Sequence, residues 1–429
     1  MAARLAASPS GTVTSVFGAA DEREGAFRLL ANPNVAAASV MRSVSRSTFE
    51  AYPRGRAYCA IDGSSVSVVD RSMCREVGQV GVWTSGGRGL QALTALVCTE
   101  DGVPVGLGGV RFWARDKPTR RRAKAFRSLT TETAHTVALL DEIEAARKAH
   151  APDLDLHLVL DRGFDAWPVF RLARDKALHL TVHSSSDRRL VTPRRQRQRR
   201  LYAAVRRAPV LGDVLLEVPE RNGRAGRLAV LRVRAVRVQI VLQVARKRRE
   251  HVDITAVDIR EVGYRCASPL HWLLLTTDRV TTLDEAQRVA DGYALRWRIE
   301  ELHRAWKTGW CNVERTQLRR RSALIKWATL HLAVAARAVR LSYLARTKPD
   351  VPSSDEFSRD EIDATVLFTK RTKYKRGDTP PLGDLVTMIA NLGGYTGKSS
   401  GGPPGPTVIG RGLERIAIAA ETLRLTAQK

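Results

Sequence analysis

The order of strand-like and helix-like segments between residues 56 and 184 is the feature that most constrains the fold of this 429-residue chain. Apolar segments with strand character come first, and a Glu-Asp-Gly sequence at Glu100–Gly102 predicts a hairpin turn among them. A helix, a strand, a second helix and a further strand follow, at residues 131–149, 154–161, 165–177 and 179–184. This order predicts a mixed α/β unit.

The stretch after this unit has a different character. Arg188–Arg207 contains nine arginines and no acidic residue. Beyond it, apolar and charged residues alternate around the Asn222-Gly223 pair, which is a turn signal between antiparallel strands. We therefore expect Arg188–Val262 to be an all-β insertion with a basic leading edge, and residues 271–278 to return to a buried strand.

Residues 293–309 predict one helix with two unlike faces. The spacing i, i+4, i+7, i+11 is typical of an apolar stripe that packs on a core, and it is occupied by Leu295, Ile299, Leu302 and Trp306. At about 100° per residue, Arg296, Glu300 and Lys307 lie within roughly 60° of Tyr293, away from that stripe. The polar face fits a functional surface, and it fits equally a solvated surface with an Arg296–Glu300 pair.

The other segments are less informative. Residues 1–20 are small and polar and are expected to be disordered, and residues 21–50 are expected to be helical with a turn at Asn32–Asn34. Thr282 and Glu285 form a capping box that predicts the start of the two-faced helix. Further helices are expected at residues 322–345, 382–392 and 412–426, with a polar connection over residues 346–381.

The charge of the chain indicates an anionic partner. Lys and Arg number 71 against 44 Asp and Glu, a formal net charge of +27, which favours nucleic acid over an anionic membrane. A GC-rich genome that favours Arg and Ala codons is the alternative explanation. The five cysteines and the histidines show no metal-ligand spacing, and no apolar run is long enough to span a membrane. We therefore expect a cytosolic protein without a zinc finger.

Three acids stand at positions where they can converge. Asp62 and Asp161 end predicted strands, and Glu300 joins them if its helix packs on the same sheet. Converging carboxylates repel one another unless a divalent cation lies among them, and oxygen ligands favour Mg²⁺ or Mn²⁺. For each acid taken alone, capping a turn or pairing with an arginine is the simpler explanation.

The residues Tyr293, Arg296, Glu300 and Lys307 have the spacing Y-(2)-R-(3)-E-(6)-K, which resembles the signature of the IS4 family of DDE transposases, whose familiar member is the Tn5 transposase. "DGSS" at Asp62 and "DRGFDAW" at Asp161 stand where this family has its catalytic aspartates. "EGAFRLLANPNV" resembles the N-terminal region of the family, and the likeness spans about residues 22–410. It implies an α/β fold with an RNase H-like catalytic domain, an all-β insertion and a helical C-terminal region.

The resemblance also implies domain boundaries. Residues 1–50 would be a partial N-terminal DNA-binding region, and residues 51–187 the first part of the catalytic core. Residues 188–262 would be the β insertion, residues 263–345 the second part of the core with the two-faced helix, and residues 346–429 a dimerisation region.

Site roles follow from the same resemblance. Asp62, Asp161 and Glu300 would be catalytic and would bind Mg²⁺, for which Mn²⁺ would substitute. The DNA contacts would be Tyr293, Arg296, Arg304, Lys307 and Trp272. Trp272 would stack on a base flipped out of the transposon end, worth about 1–3 kcal/mol; a core aromatic in a strand is the alternative. His303 is expected to contact DNA or solvent.

The implied function is cut-and-paste DNA transposition. A homodimer would act on double-stranded DNA, both the terminal inverted repeats and the target, in the bacterial cytoplasm and at the nucleoid. About 60 residues precede the first aspartate, fewer than in the familiar member. This raises the alternative of a non-catalytic regulator that inhibits a full-length transposase by dimerisation. A general basic DNA-binding protein is a third hypothesis.

Overall fold

A computed structural model describes residues 1–69, 74–81, 87–115, 131–191, 200–218, 226–245, 248–263, 269–370, 372–397 and 402–426. Within these ranges, ten strands form one sheet. The strands are β1 (Gly55–Ser67), β2 (Gly78–Gln79), β3 (Arg88–Thr99), β4 (Pro104–Trp113), β5 (Leu154–Leu160), β6 (His179–His183), β7 (Val210–Val218), β8 (Arg227–Gln243), β9 (Arg249–Glu261) and β10 (His271–Thr276).

The helices lie mainly at the two ends of the chain and between the strands of the first half. They are α1 (Ala2–Ala7), α2 (Val13–Val16), α3 (Ala20–Ala31), α4 (Ala37–Ala51), α5 (Thr131–His150), α6 (Trp167–Lys176), α7 (Leu201–Arg207), α8 (Leu283–Ala294), α9 (Trp297–Lys307), α10 (Arg321–Thr347), α11 (Arg359–Phe368), α12 (Leu382–Leu392) and α13 (Pro406–Thr426).

The first half of the sheet is mixed. β3 lies between β4 and β1 and is antiparallel to both, and β1, β5 and β6 are parallel neighbours. The predicted hairpin turn is present, since β3 ends at Thr99 and Gly102 adopts φ +80° before β4 begins. A positive φ favours glycine because the residue has no Cβ. This arrangement, with the helical C-terminal region α10–α13, confirms the α/β fold class and is consistent with an RNase H-like domain.

The insertion extends this sheet rather than forming a separate one. β10 pairs antiparallel with β6, and β9, β8 and β7 continue outward from β10. The segment is not entirely β, because α7 forms where Leu201 and Val205, four residues apart, bury their side chains against β8 and β9. The Asn222-Gly223 turn and part of the arginine-rich edge lie outside the described residues.

Helices cover both faces of the sheet. α9, α10 and the C-terminal helices pack on one face, and α5 and α6 pack on the other. α8 joins the first group by packing on Tyr58, Val159 and the insertion strands. A Cβ on Gly292 would lie 2.2 Å from Tyr58 Cε1, so glycine allows this close approach of α8 to β1.

The prediction that residues 1–20 are disordered is wrong. Leu5, Val13 and Phe17 are buried in the same core as α10. Trp327 Nε1 of α10 donates a hydrogen bond of 3.0 Å to Gly11 O, and His331 Nε2 lies 2.7 Å from Ser10 O. These contacts join positions more than 300 residues apart along the chain, so the local composition of residues 1–20 could not indicate them.

Candidate active site

Asp62 and Asp161 lie side by side because β1 and β5 are parallel neighbours. The register pairs Ile61 with Leu160, so the next residue on each strand is an aspartate. Asp161 directly follows β5, as predicted. Asp62 does not end its strand, because β1 continues to Ser67. The other edge of β1 pairs with β3, which is longer than β5, and there Asp62 is opposite Thr94. Asp62 is thus the residue at which β1 passes the end of β5.

The Asp62 carboxylate lies in a crowded acidic environment. Its Oδ1 accepts a hydrogen bond of 2.8 Å from the Gly63 N–H, and Arg296 Nη1 lies 3.7 Å from its Oδ2. Burial, with a smaller contribution from the negative charges of Asp161 and Glu300, raises the pKa of Asp62 to about 6. Arg296 and the Gly63 N–H only partly oppose this rise. The charges of Asp161 and Glu300 are therefore close enough to act on the Asp62 carboxyl.

The predicted two-faced helix is two helices. α8 ends at Ala294 and α9 begins at Trp297. At the junction the backbone hydrogen bonds change from the i to i−4 pattern of an α-helix to an i to i−3 pattern. Arg296 N donates to Tyr293 O, and Ile299 N donates to Arg296 O. Such tightening turns the chain faster than 100° per residue, so Tyr293 is not displayed on the polar face with Glu300. The capping box of Thr282 and Glu285 at the start of α8 is confirmed.

Arg296 connects the helical junction to the strand acids. Its guanidinium lies 3.5 Å from Glu300 Oε1 and 3.7 Å from Asp62 Oδ2, and the side chain is largely buried. Its Nε is buried without a hydrogen-bond partner among the described residues. Glu300, in the first turn of α9, is thereby held beside the strand that carries Asp62. A single arginine thus links the helix acid to a strand acid.

Tyr293 is buried and bonded to a histidine that the sequence did not single out. It is 4% exposed, and its hydroxyl lies 3.1 Å from His183 Nδ1. His183 Nε2 accepts a hydrogen bond of 2.9 Å from Arg162 Nη2, so the proton of the neutral ring is on Nδ1 and is donated to Tyr293. Burial and the charge of Arg162 lower the pKa of His183 to about 4, which keeps the ring neutral.

His183 could have been found from the sequence. It ends β6, the neighbour of β5, whose end precedes Asp161. The reasoning that selected Asp62 and Asp161, polar residues where adjacent strands stop, applies equally to His183. Arg162 follows Asp161 directly and belongs to the same group.

Trp272 is enclosed in an aromatic cluster. Its ring is 7% exposed and meets Tyr293 edge-on at 5.1 Å and Trp297 at 6.0 Å between ring centroids. The structure therefore places it in a cluster of buried aromatic side chains at the junction of α8 and α9. Its expected role in stacking on a base requires that the ring become uncovered.

The remaining residues of α9 differ in exposure. Arg304 is exposed, and Lys307 Nζ lies 3.6 Å from Glu314 Oε1, which also accepts a bond from the Ser67 N–H. The prediction that His303 contacts DNA or solvent is not supported, because its Nε2 lies 2.6 Å from the buried Thr94 Oγ1. Since Thr94 is opposite Asp62 on β3, this contact fixes α9 against the strand pair that carries the acid.

The chemistry of the acids fits an oxygen-preferring divalent cation. Three carboxylates with one nearby guanidinium leave an excess of negative charge, and burial together with the charges of Asp161 and Glu300 raises the pKa of Asp62. Their ligand atoms are not all within 4.8 Å of one another; among the described residues, the group that meets this distance is His157, His179 and Asp278. The acids form an acidic cluster around Arg296 rather than a closed metal cage.

Comparison with protein families gives two matches. Residues 128–336 match the transposase DDE domain, and residues 333–428 match the transposase Tn5 dimerisation domain. The first match contains Asp161 and Glu300, whereas Asp62 lies before it. The position of Asp62 in the site therefore depends on the strand register described above.

The fold, the acidic cluster and these matches define a DDE enzyme that cleaves nucleic acid and transfers strands. The chain is a DDE transposase that resembles the Tn5 transposase and the IS4 family. The dimerisation match begins within α10 and indicates that the protein forms a dimer, and the transposase class indicates that it binds DNA. No helix among the described residues is long and apolar enough to cross a membrane.

Proposed function

We propose that the protein is a cut-and-paste DNA transposase whose catalytic residues are Asp62, Asp161 and Glu300. The observation that supports this most strongly is the register of β1 and β5, which brings Asp62 and Asp161 together, with Arg296 joining Asp62 to Glu300. Neighbouring acids of this kind suit phosphodiester chemistry because they can hold divalent cations.

The three acids would hold Mg²⁺, with Mn²⁺ as a substitute. Bound there, the ions would supply an activated water or 3′-hydroxyl nucleophile and would stabilise the leaving oxygen. Arg296, which lies between two of the acids, would contact a phosphate oxygen of a bound strand. Lys307 and Arg304 would contact further phosphates, which position DNA without reading its sequence. Tyr293 is buried against His183, so its expected contact with the DNA strand requires that the ring become uncovered.

The reaction would proceed by four phosphoryl transfers. Water attacks the phosphodiester at the transposon end, forming a new O–P bond and releasing a 3′-hydroxyl. That hydroxyl attacks the opposite strand, which forms a hairpin and releases the flanking DNA. A second water opens the hairpin, and the regenerated 3′-hydroxyl joins target DNA.

Assembly and location complete the proposal. A homodimer would hold two terminal inverted repeats, and its C-terminal helices α10–α13 would provide the contact between subunits. The work would take place in the cytoplasm, at the nucleoid when DNA is bound. The charge of +27 suits this polyanionic partner.

The test is incubation of the purified protein with DNA that carries the inverted repeats flanking its own gene, with and without Mg²⁺. We expect metal-dependent nicks and hairpins at the repeat ends. Asp62→Ala, Asp161→Ala and Glu300→Ala should each abolish both products while non-specific DNA affinity stays within about threefold.

A matched control is Asp253→Ala, an exposed acid on β9 outside the acidic cluster. It should cut like the wild type. Cleavage that persists in any triad variant would remove that residue from the catalytic set. Binding without cutting in the wild type would favour the inhibitory regulator instead.

A further inference from the structure

A second group of ligand-type side chains lies at the opposite end of the same strands. His157 on β5, His179 at the start of β6 and Asp278 after β10 each offer an atom, and these atoms all lie within 4.8 Å of one another. The acidic cluster follows the last residue of β5, whereas this group surrounds the first residue of β6. The two groups are therefore separate sites on one sheet.

Distances within this group resemble those between ligands of one small cation. His157 Nδ1 lies 3.3 Å from Asp278 Oδ2, and His179 Nδ1 lies 2.8 Å from Asp278 Oδ1. Ligands at about 2.0–2.1 Å from a tetrahedral ion are separated by roughly 3.3 Å. Asp278 is 17% exposed and His157 is 2% exposed, so two of the three donors are already withdrawn from water.

His157 can take the tautomer that a metal ligand needs. Its Nε2 lies 2.8 Å from Thr181 Oγ1, so when an ion replaces Asp278 as the partner of Nδ1, donation of the Nε2–H to that hydroxyl leaves the Nδ1 lone pair for the ion. Hydrogen bonding of the second ring nitrogen in this way orients metal-binding histidines in general. Asp278 supplies a carboxylate, which its neighbours keep ionised.

Arg56 currently places a positive group in this space. Its Nη2 lies 2.9 Å from Asp278 Oδ2 and 3.4 Å from His157 Nδ1. Its Nη1 lies 3.3 Å from Asp155, and its Nε is buried with no hydrogen-bond partner among the described residues. Arg56 also lines a cavity of about 610 Å³ with His179 and Asp278. The guanidinium therefore has both an alternative acid and space into which it can withdraw.

We propose that His157, His179 and Asp278 bind a nitrogen-preferring divalent metal ion of the Zn²⁺ type, with the Arg56 guanidinium displaced toward Asp155. Two imidazoles and one carboxylate favour Zn²⁺ or Co²⁺ over Mg²⁺, whose preferred ligands are oxygens. The ion would cross-link β5, β6 and the end of β10. It would thereby hold β10, the strand that follows the insertion, against β5 and β6.

The experiment uses the untagged full-length protein carrying Glu300→Ala, so that the acidic cluster is weakened as a competing site. Co²⁺ is added at pH 8, and its visible d–d absorption is followed. We expect one equivalent to bind with a Kd below about 10 µM, to be displaced by Zn²⁺ and to be unaffected by a large excess of Mg²⁺.

Three further substitutions in that background test the assignment. His179→Ala should abolish the absorption, and it is a safe change for folding because His179 is 57% exposed. His251→Ala, on the same cavity but outside the group, should bind like its parent. Arg56→Met should bind at least about tenfold more tightly, since a positive charge that repels the ion is removed.

Each alternative outcome contradicts the proposal. Equal binding by His179→Ala and its parent would place the ion elsewhere. Binding by Arg56→Met alone would show that the arginine is the native occupant. No binding by any variant, with circular dichroism showing folded protein, would exclude the site. Because cleavage is not measured, these outcomes are independent of the proposed transposase activity.

Discussion

The two ends of strands β5 and β6 each gather acids around an arginine, but the arginine has a different effect at each end. At the catalytic end, Arg296 lies 3.5 to 3.7 Å from Glu300 and Asp62. At the far end, Arg56 lies 2.9 Å from Asp278, which also contacts two imidazoles. The negative charge of Asp278 is balanced by these partners, whereas the negative charge of the acids in the proposed active site is balanced only in part.

The pKa values of the two aspartates express this difference. Burial would raise the pKa of both carboxyls. At Asp278, hydrogen bonds from His157, His179 and Arg56 outweigh burial and hold the pKa well below its usual range. At Asp62, burial prevails and the pKa rises to about 6. Ionised Asp278 therefore stabilises the folded protein at one end of the sheet. At the other end, ionisation of Asp62 is unfavourable, and a bound cation would stabilise the ionised form.

The largest expected effect is on the rate of DNA cleavage, which should depend on the arginine at the proposed active site and not on an arginine at the far end of the sheet. Arg296→Met should lower the rate of end cleavage about 10²- to 10³-fold, because it removes a preorganised positive group beside the reacting phosphate. Arg174→Met, at the far cavity, should cleave within twofold of the wild type. Single-turnover cleavage of a pre-bound DNA end measures both. Equal losses in the two variants would mean that Arg296 acts only through general DNA affinity.

The next effect concerns stability at the far end. Asp278→Asn should lower the free energy of unfolding by about 2 kcal/mol, because Arg56 loses the nearer of its two acids and keeps only Asp155 at 3.3 Å. Urea denaturation at pH 7 without metal measures this. Asp253→Asn, exposed on a neighbouring strand, is the control and should change stability by less than about 0.5 kcal/mol. A loss that small in Asp278→Asn would show that the far network is not stabilising.

Replacing an aspartate by asparagine in the proposed active site should have the opposite effect on the free energy of unfolding. In EDTA at pH 7.5, Asp62→Asn should raise the free energy of unfolding by about 1–2 kcal/mol, because it removes a carboxylate that is costly to ionise in the folded protein. A raised folded pKa means that this cost is absent below about pH 4 and complete above about pH 6. The gain should accordingly disappear as pH falls through that interval. A gain that does not vary with pH would assign it to packing rather than ionisation.

The sequence predicted the parts of this contrast that depend on local patterns. Strand periodicity placed Asp161 at the end of β5, and the capping box placed the start of α8. The site residues on the helices were predicted from the spacing of the Tyr-Arg-Glu-Lys signature. The family matches confirmed the transposase class, while the individual roles of the residues remain predictions.

The sequence did not predict features that arise from contacts across the sheet. The break between α8 and α9 is a tightening of the backbone between two packed segments, and the apolar stripe continues through it. Linear spacing gave no sign of the far site, because His179 and Asp278 are 99 residues apart and meet only through the pairing of β6 with β10. His157 comes to the same place because β5 pairs with β6. A comparison of the polar residues on neighbouring strands of the sheet would have identified both His183 and this group.

The smallest expected effect distinguishes the histidines of the two ends. Hydrogen bonding to Asp278 raises the pKa of His179, whereas burial beside Arg162 lowers the pKa of His183 to about 4. His183 should therefore stay neutral between pH 5.5 and 8 and donate its Nδ1–H to Tyr293 throughout.

His183→Ala and Tyr293→Phe should each slow end cleavage about fivefold, the effect of one hydrogen bond of about 1 kcal/mol. The double variant should be no slower than the singles, because both remove the same bond. His183→Asn, whose side-chain amide can take the place of Nδ1–H, should recover most of the rate. Additive losses in the double variant, or no recovery with asparagine, would mean that His183 supports the site by packing alone.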